Sequence, residues 1–188
     1  MTVRMLLVAF AALLVVGRPA AAQEACKMMQ VGKPLSIADM YRMASEKAKA
    51  WKPDARLASM ANTTLGLLKP DGTSASWHVI FVSEAANMSV SIDTANGYFT
   101  CYASAGKGGR VPDLKPDFFR DGASLYAIAR QQGETLLAQG YGVVVGTAAA
   151  PSDRHATWNI NYHKEGASGG APTVIVDANT GTLEKAIR

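Results

Sequence analysis

The chain has 188 residues, of which 48% are hydrophobic and 18% are charged, and this suits one medium domain or two small ones with an adequate core. Its 19 basic and 15 acidic side chains give a formal net charge of +4. Two of the basic ones, Arg4 and Arg18, lie in an N-terminal segment that we expect to be removed. No basic run is present in the sequence, which excludes nucleic acid as a predicted partner.

The N-terminal segment, residues 1–22, has the pattern of a secretory signal peptide. Arg4 supplies the positive start, the apolar run that follows is shorter than the roughly 20 residues of a membrane span, and small alanines precede the cleavage point. We therefore expect a periplasmic or secreted bacterial protein that begins at Gln23 and has no transmembrane segment in its mature chain. Lipid attachment at Cys26 is the alternative, although the aliphatic residue of lipoprotein signals is missing before it.

The first element predicted in the mature chain is a helix. Ser36 is a good N-cap, and the apolar residues after it recur at three- and four-residue spacing until Pro53 ends the pattern. A strand is expected next, around residues 56–68. The period then changes to two, which predicts a strand with one buried face. The buried side chains of that strand are Trp77, Val79 and Phe81.

The segments “SVSIDTANG” and “TVIVDANTG” each predict a strand that ends in a tight turn. The aspartate can accept hydrogen bonds from turn amides, and the glycine tolerates the left-handed backbone of a hairpin. The predicted turn residues are Asp93 and Gly97 in the first segment and Asp177 and Gly181 in the second. A calcium loop is the alternative, but both segments lack a further acidic ligand and carry their glycine one position early.

The second half of the sequence repeats the order of the first. Asp121 can cap a helix that ends before Gly140, and a strand is expected around residues 141–148. An alternating strand follows, with buried side chains at Trp158, Ile160 and Tyr162. Because whole blocks match between the halves, we interpret the sequence as a tandem duplication with residues 103–120 as a linker.

The segment “TWNINYHKEGASGGAPTVIVDANTGTLEKAI” resembles the PepSY domain, with its aromatic-led strand, polar hairpin and “VDA-x-TG” turn. The segment “SIDTANGYF” is a weaker copy. The resemblance implies an α+β fold with two tandem helix-plus-antiparallel-sheet (α-β-β-β) repeats, at residues 23–102 and 121–188. It also implies a non-catalytic secreted or envelope module that binds or inhibits peptidases.

The sequence contains no recognisable catalytic or metal-binding motif. The three histidines, His78, His155 and His163, show no HxH or HExxH spacing, and no GxSxG motif is present. Several methionines near the mature N-terminus could hold copper(I), but Met40 falls on the apolar side of the first helix, as core packing requires. We therefore predict no enzymatic activity, no cofactor and no metal site.

The polar sides of the two aromatic-led strands differ in character. The first strand places His78, Ile80 and Val82 there, and the second places Asn159, Asn161 and His163. Apolar side chains on an outer sheet face need cover, either from the rest of this chain or from a partner. We predict a partner-binding face at these six residues, with internal packing of the apolar pair as the alternative.

The predicted function is a non-catalytic protein-binding module of the envelope, acting as an inhibitor or regulator of a peptidase. The expected partner is another envelope or secreted protein. The alternative from a different class is an envelope protein that binds a small ligand or a metal.

The chain has two cysteines, Cys26 and Cys101. In an oxidising compartment we expect them to form a disulfide, which restricts the unfolded chain by roughly 4 kcal/mol in the entropic account. A reactive or metal-bound thiol pair is the alternative, although no CxxC spacing supports it.

Alkylation of the purified chain in denaturant should add no mass before reduction and should modify both Cys26 and Cys101 after reduction, because only the reduced thiols can react. Intact-mass spectrometry measures both states. Alkylation without reductant would refute the disulfide.

Overall fold

The computed structural model describes residues 29–106, 111–149, 154–167 and 172–186. Within these ranges the chain is mostly β, with one sheet of nine antiparallel strands, a second sheet of two short strands, and two helices. The predicted fold class, an α+β fold with two tandem α-β-β-β repeats, is therefore wrong. Strands from both halves of the chain hydrogen-bond to one another, so they build one large sheet over one core.

The strands have the following bounds in chain order: β1 (Met29–Gln30), β2 (Leu35–Ser36), β3 (Arg56–Asn62), β4 (Thr73–Ser74), β5 (Trp77–Ser83), β6 (Met88–Ala95), β7 (Tyr98–Ala105), β8 (Gly142–Ala149), β9 (Ala156–His163), β10 (Thr173–Asp177) and β11 (Leu183–Ala186). The order across the large sheet is β1-β7-β6-β5-β3-β8-β9-β10-β11, and β2 pairs with β4 in the small sheet. The first and last strands of the described chain are thus at opposite edges.

Two helices follow the predicted caps, α1 (Ile37–Trp51) and α2 (Gly122–Ala138). The hydroxyl oxygen of Ser36 accepts a hydrogen bond from the backbone N–H of Asp39 at 3.1 Å. The carboxylate of Asp121 accepts one from the N–H of Ser124 at 3.1 Å. Both N-caps are confirmed, because each side chain satisfies an amide that has no partner within the first helical turn.

Both helices pack on one face of the large sheet, where they cover the core. Helix α1 contacts β3 and β5, and α2 contacts β8 and β9. The predicted alternation of the aromatic-led strands is confirmed, since their inward side chains are all buried: Trp77, Val79, Phe81, Trp158, Ile160 and Tyr162. The indole N–H of Trp77 donates to the backbone carbonyl of Leu35 at 3.0 Å, and that of Trp158 donates to the carbonyl of Phe119 at 2.8 Å. Met40 and Met60 are fully buried in this core.

Strands β3 and β8 join the two halves of the large sheet, and we call their contact the seam. In the described residues, backbone pairing along the seam is limited to Ala61 opposite Gly146. A side chain extends the contact, because the hydroxyl of Thr147 accepts a hydrogen bond from the backbone N–H of Met60 at 2.8 Å. Thr147 is buried, so this bond is shielded from water.

The second side chain that holds the seam is Asn62, which is 2% exposed. Its Oδ1 accepts from the backbone N–H of Val145 at 2.6 Å. Its Nδ2 donates to the carbonyl oxygens of Gly66 at 2.9 Å and Val143 at 3.3 Å. One buried amide therefore contacts backbone groups on both sides of the seam, and it supplies the acceptor for the N–H of Val145. The two carbonyl oxygens also accept from other groups, that of Gly66 from Ser74 and that of Val143 from Leu68.

The connector, residues 111–121, lies between β7 and α2 in the chain. The turn after β10 binds it, because Asn179 accepts from the backbone N–H of Lys115 at 2.8 Å and donates to the carbonyl of Asp113 at 3.0 Å. Phe118 of the connector is buried in the core, with its ring edge-on to that of Tyr41 at 4.9 Å. The connector is therefore fixed to the body at both its polar and its apolar residues.

Cys101 lies on β7 and is disulfide-bonded. The predicted partner, Cys26, lies outside the described residues, and so do the predicted signal peptide and Gln23. The pairing and the cleavage site therefore stay predictions.

Replacing Asn62 by alanine should lower the free energy of unfolding by about 2 kcal/mol, because it leaves the buried N–H of Val145 without its acceptor. Urea unfolding followed by circular dichroism measures the loss. The control is Asn159→Ala on β9, which removes an asparagine that makes no buried hydrogen bond to the described chain and should cost no more than about 0.5 kcal/mol. Equal losses in both variants would contradict the role of Asn62.

Candidate functional site

The second face of the large sheet, which we call the open face, carries the side chains that alternate with the core residues. No helix of the described chain packs on it. One continuous row of paired residues crosses it through eight strands, from β7 to β11: Thr100, Asp93, His78, Ala61, Gly146, Asn159, Ile175 and Lys185. The smallest residues of the row, Ala61 and Gly146, lie at its centre on the seam, and the larger residues on either side are polar except for Ile175.

The six predicted face residues lie on the open face, three on β5 and three on β9. They form two groups because β3 and β8 lie between these strands, and three strand spacings separate the groups by roughly 14 Å. His78 and His163 are exposed, and Asn159 and Asn161 are half-buried.

The apolar pair on β5 is covered by the chain itself. Val82 is 1% exposed and forms a small cluster with Ala58 and with Val111 of the connector, and Ile80 packs against this cluster. Val82 is therefore not available to a partner, which is the alternative that the sequence left open. The accessible part of the open face lies farther along the strands, around His78 and the seam.

His78 and Asp93 form a close pair on neighbouring strands of the open face. The Nδ1 atom of His78 lies 2.5 Å from Oδ1 of Asp93. Their side chains are 46% and 29% exposed. The hydrogen bond to Asp93 raises the pKa of His78, and this effect outweighs the opposing effect of burial. The imidazole is therefore more readily protonated than a free histidine near neutral pH.

Ser91 completes a serine, histidine and aspartate group, but not the geometry of a catalytic triad. Its hydroxyl lies 3.4 Å from Nδ1 of His78 and donates to Asp93 at 3.1 Å. A triad needs the carboxylate on one ring nitrogen and the nucleophile on the other, whereas here both face Nδ1. This arrangement cannot relay a proton from the serine through the ring.

The two asparagines of β9 direct hydrogen-bond donors to the open face. Oδ1 of Asn161 accepts from the hydroxyl of Thr173 at 2.7 Å, and Oδ1 of Asn159 accepts from Thr157 at 3.5 Å. In the described part of the chain, neither amide nitrogen has a hydrogen-bond acceptor. These donors are therefore free to bind a group from outside.

Two exposed tyrosines border the open face on β7. Tyr98 and Tyr102 are 46% and 66% exposed, and they pair with Ala95 and Ser91 of β6. Exposed tyrosines beside a polar surface are typical of binding interfaces, because each ring offers both apolar area and a hydroxyl group. The sequence pattern gave no reason to single them out.

The two predicted turns have different structures. Asn96 and Gly97 have φ of 52° and 78° and close a two-residue hairpin between β6 and β7, as in a type I′ turn. Asp93 lies inside β6 and contacts His78 instead of turn amides. It is therefore not a turn residue, because this short hairpin closes without a side-chain acceptor.

Asp177 does what the sequence predicted in the second turn. Its Oδ1 accepts from the backbone N–H groups of Asn179 at 2.8 Å and Thr180 at 2.7 Å, and Gly181 has a φ of 76°. Burial alone would raise the pKa of Asp177, but the hydrogen bonds from Thr180 and Asn179 outweigh it and keep the pKa below its usual value.

A second histidine group lies at the corner of the open face. Nε2 of His155 lies 2.6 Å from Oε1 of Glu184 and 3.6 Å from Oδ2 of Asp177. Sequence reasoning missed this group because its members are far apart in the chain and match no spacing motif. Only the pairing of β9, β10 and β11 brings them together.

None of the described helices is long and apolar enough to span a membrane. Comparison of the chain with protein-family models, with curated proteins and with solved structures finds no match. The function must therefore be argued from the site itself.

Replacing Asp93 by asparagine should lower the pKa of His78 toward about 6.5, because it removes the charged hydrogen-bond partner. An NMR titration of the imidazole carbons measures it. Since the folded-state pKa is raised, the pair stabilises the fold fully below pH about 6.5, and this contribution is lost as the pH rises through the folded-state pKa.

The control for this titration is Asp117→Asn, which removes an exposed aspartate of the connector. It should leave the titration of His78 unchanged. An equal fall in both variants would show that general charge, and not the hydrogen bond to Asp93, sets this pKa.

Proposed function

We propose that this protein is a non-catalytic module that binds another protein through the open face. The observation that carries the proposal is the row of paired residues across eight strands, which makes a continuous surface with no helix over it in the described chain. Its small centre at Ala61 and Gly146 leaves room for a partner to approach the backbone of the sheet.

The size of the open face suits a protein partner. Eight strands at about 4.8 Å spacing span roughly 34 Å, and a strand of eight residues is roughly 27 Å long. Even with one end covered by the connector, this is comparable to the about 800 Å² that each side contributes to a standard interface. Tyr98 and Tyr102 supply aromatic anchors at one border.

The polar groups of the open face favour a partner surface rich in hydrogen-bond acceptors. The amide nitrogens of Asn159 and Asn161 lack acceptors within the described chain, and protonation turns Nε2 of His78 from an acceptor into a donor while Nδ1 stays with Asp93. Backbone carbonyl oxygens and carboxylates are the groups that such donors bind. A loop or strand of another protein offers both.

The geometry around His78 supports a role without catalysis. Ser91 and Asp93 approach the same ring nitrogen, so the most triad-like group of the described chain is not arranged for nucleophilic attack. The proposal needs no cofactor.

The predicted signal peptide and the resemblance of residues 157–187 to PepSY segments make an envelope or secreted peptidase the first partner to test. Inhibition or regulation of that peptidase would follow from occupation of its surface. Both features are read from the sequence, and they suggest which partner to test. The open face supports how that partner would bind.

A metal-binding role is the second candidate. It rests on a different observation, the convergence of His155, Asp177 and Glu184.

Replacing Ala61 by arginine should weaken partner binding at least about tenfold, because it places a long charged side chain at the centre of a docked interface. A photo-crosslinking residue at position 91 first identifies the partner in the native envelope fraction. Titration of the purified partner then gives Kd for each variant, and hydrolysis rates show inhibition if the partner is a peptidase.

The matched control is Ala50→Arg, which adds the same side chain at an exposed position of α1 on the opposite side of the sheet. It should leave Kd unchanged. Equal crosslinking from positions 91 and 50, or an unchanged Kd in Ala61→Arg, would rule out the open face as the binding surface.

A further inference from the structure

The group at the corner of the open face is built from three separate segments of the chain. His155 immediately precedes β9, Asp177 ends β10, and Glu184 lies in β11. One ligand atom from each residue lies within 4.8 Å of the other two. The side chains are 37%, 18% and 35% exposed, so they are held by the sheet but remain open to small solutes.

The carboxylate of Asp177 presents one oxygen to this group. Its Oδ1 is fully used, because it accepts from the N–H of Asn179, the N–H of Thr180 and the hydroxyl of Thr180 at 2.8, 2.7 and 2.9 Å. Its Oδ2 faces His155 at 3.6 Å. Hydrogen bonds therefore fix the carboxylate through Oδ1 and leave Oδ2 to bind an ion. Such fixing of a ligand by neighbouring hydrogen bonds is typical of metal sites.

The carboxylates of Asp177 and Glu184 both face Nε2 of His155. This nitrogen carries at most one proton, so it cannot donate a full hydrogen bond to both carboxylates. Nε2 of His155 can donate its proton well to Glu184 at 2.6 Å, and this leaves Oδ2 of Asp177 without that proton at 3.6 Å. Even a protonated imidazole offsets only one of the two negative charges. A divalent cation among the three atoms would balance both carboxylates.

We propose that His155, Asp177 and Glu184 form a binding site for a divalent transition metal, with Zn²⁺ as its best-fitting ion. One imidazole nitrogen and two carboxylate oxygens are usual zinc ligands, and water completes the tetrahedron at an open site. The imidazole disfavours Mg²⁺ and Ca²⁺, which take oxygen ligands. Zinc bonds of about 2.0–2.1 Å need ligand atoms roughly 3.3 Å apart, so small side-chain rotations suffice.

The ion would act as a clamp on the edge strand β11. This strand has only four residues, all of them exposed, and it pairs with β10 alone in the described chain. Glu184 is its contribution to the site. Bound zinc would link β11 directly to the start of β9 and the end of β10.

Zinc binding to the metal-free mature protein tests the proposal by isothermal titration calorimetry, and His155→Ala should weaken it by about tenfold or more. The control is His163→Ala, which removes an exposed histidine at the end of β9 and should leave the affinity unchanged. Glu184→Gln should weaken binding as His155→Ala does, whereas Glu165→Gln on the β9–β10 connection should not. MgCl₂ at the same concentration should give no binding heat.

Hydrogen exchange provides a second readout, in which each variant is compared with and without zinc so that a change in its own stability does not affect the comparison. Zinc should slow exchange of the β11 amides in the wild type but not in His155→Ala. Zinc affinity that is unchanged in His155→Ala, or the absence of binding at millimolar zinc, would overturn the site and leave His155 as a hydrogen-bond partner of the two carboxylates. Either result leaves the test with Ala61→Arg unaffected.

Discussion

The seam between β3 and β8 is the contact on which the rest of the large sheet depends. Only Ala61 and Gly146 pair there through the backbone in the described chain, and two buried side chains, Asn62 and Thr147, complete the contact. If the strands separated here, the sheet would divide into two smaller sheets and the core would open along its centre. The open face is therefore continuous only while β3 and β8 stay in contact at the seam.

The two faces of the large sheet differ in character. The main core and both helices lie on one face, while the other presents hydroxyl, amide and imidazole groups beside the small apolar cluster around Val82. Alternation along a strand allows both properties in one segment, because successive side chains point to opposite faces. Trp77 and His78 show this directly, since the first is buried in the core and the second faces solvent.

Local features of the fold could be predicted from the sequence, but the long-range contacts could not. The caps Ser36 and Asp121 and the buried alternation of β5 and β9 follow from neighbouring residues. The seam joins strands far apart in the chain, and Asn62 looks like any polar residue until its partners are known. The contact between His78 and Asp93 could be predicted more easily from the sequence. Their positions alternate with the buried residues of β5 and β6, which indicates that both side chains lie on the same face of the sheet.

The positions of the edge strands have a mechanical consequence. The described chain enters the sheet at β1 and leaves it at β11, and eight strand spacings separate these edges by roughly 38 Å. A pulling force between the two ends would act across the strands, so it would peel hydrogen-bonded strands from the edges one after another instead of shearing them together. The two short edge strands, β1 and β11, each pair with a single neighbour in the described chain and would therefore yield first.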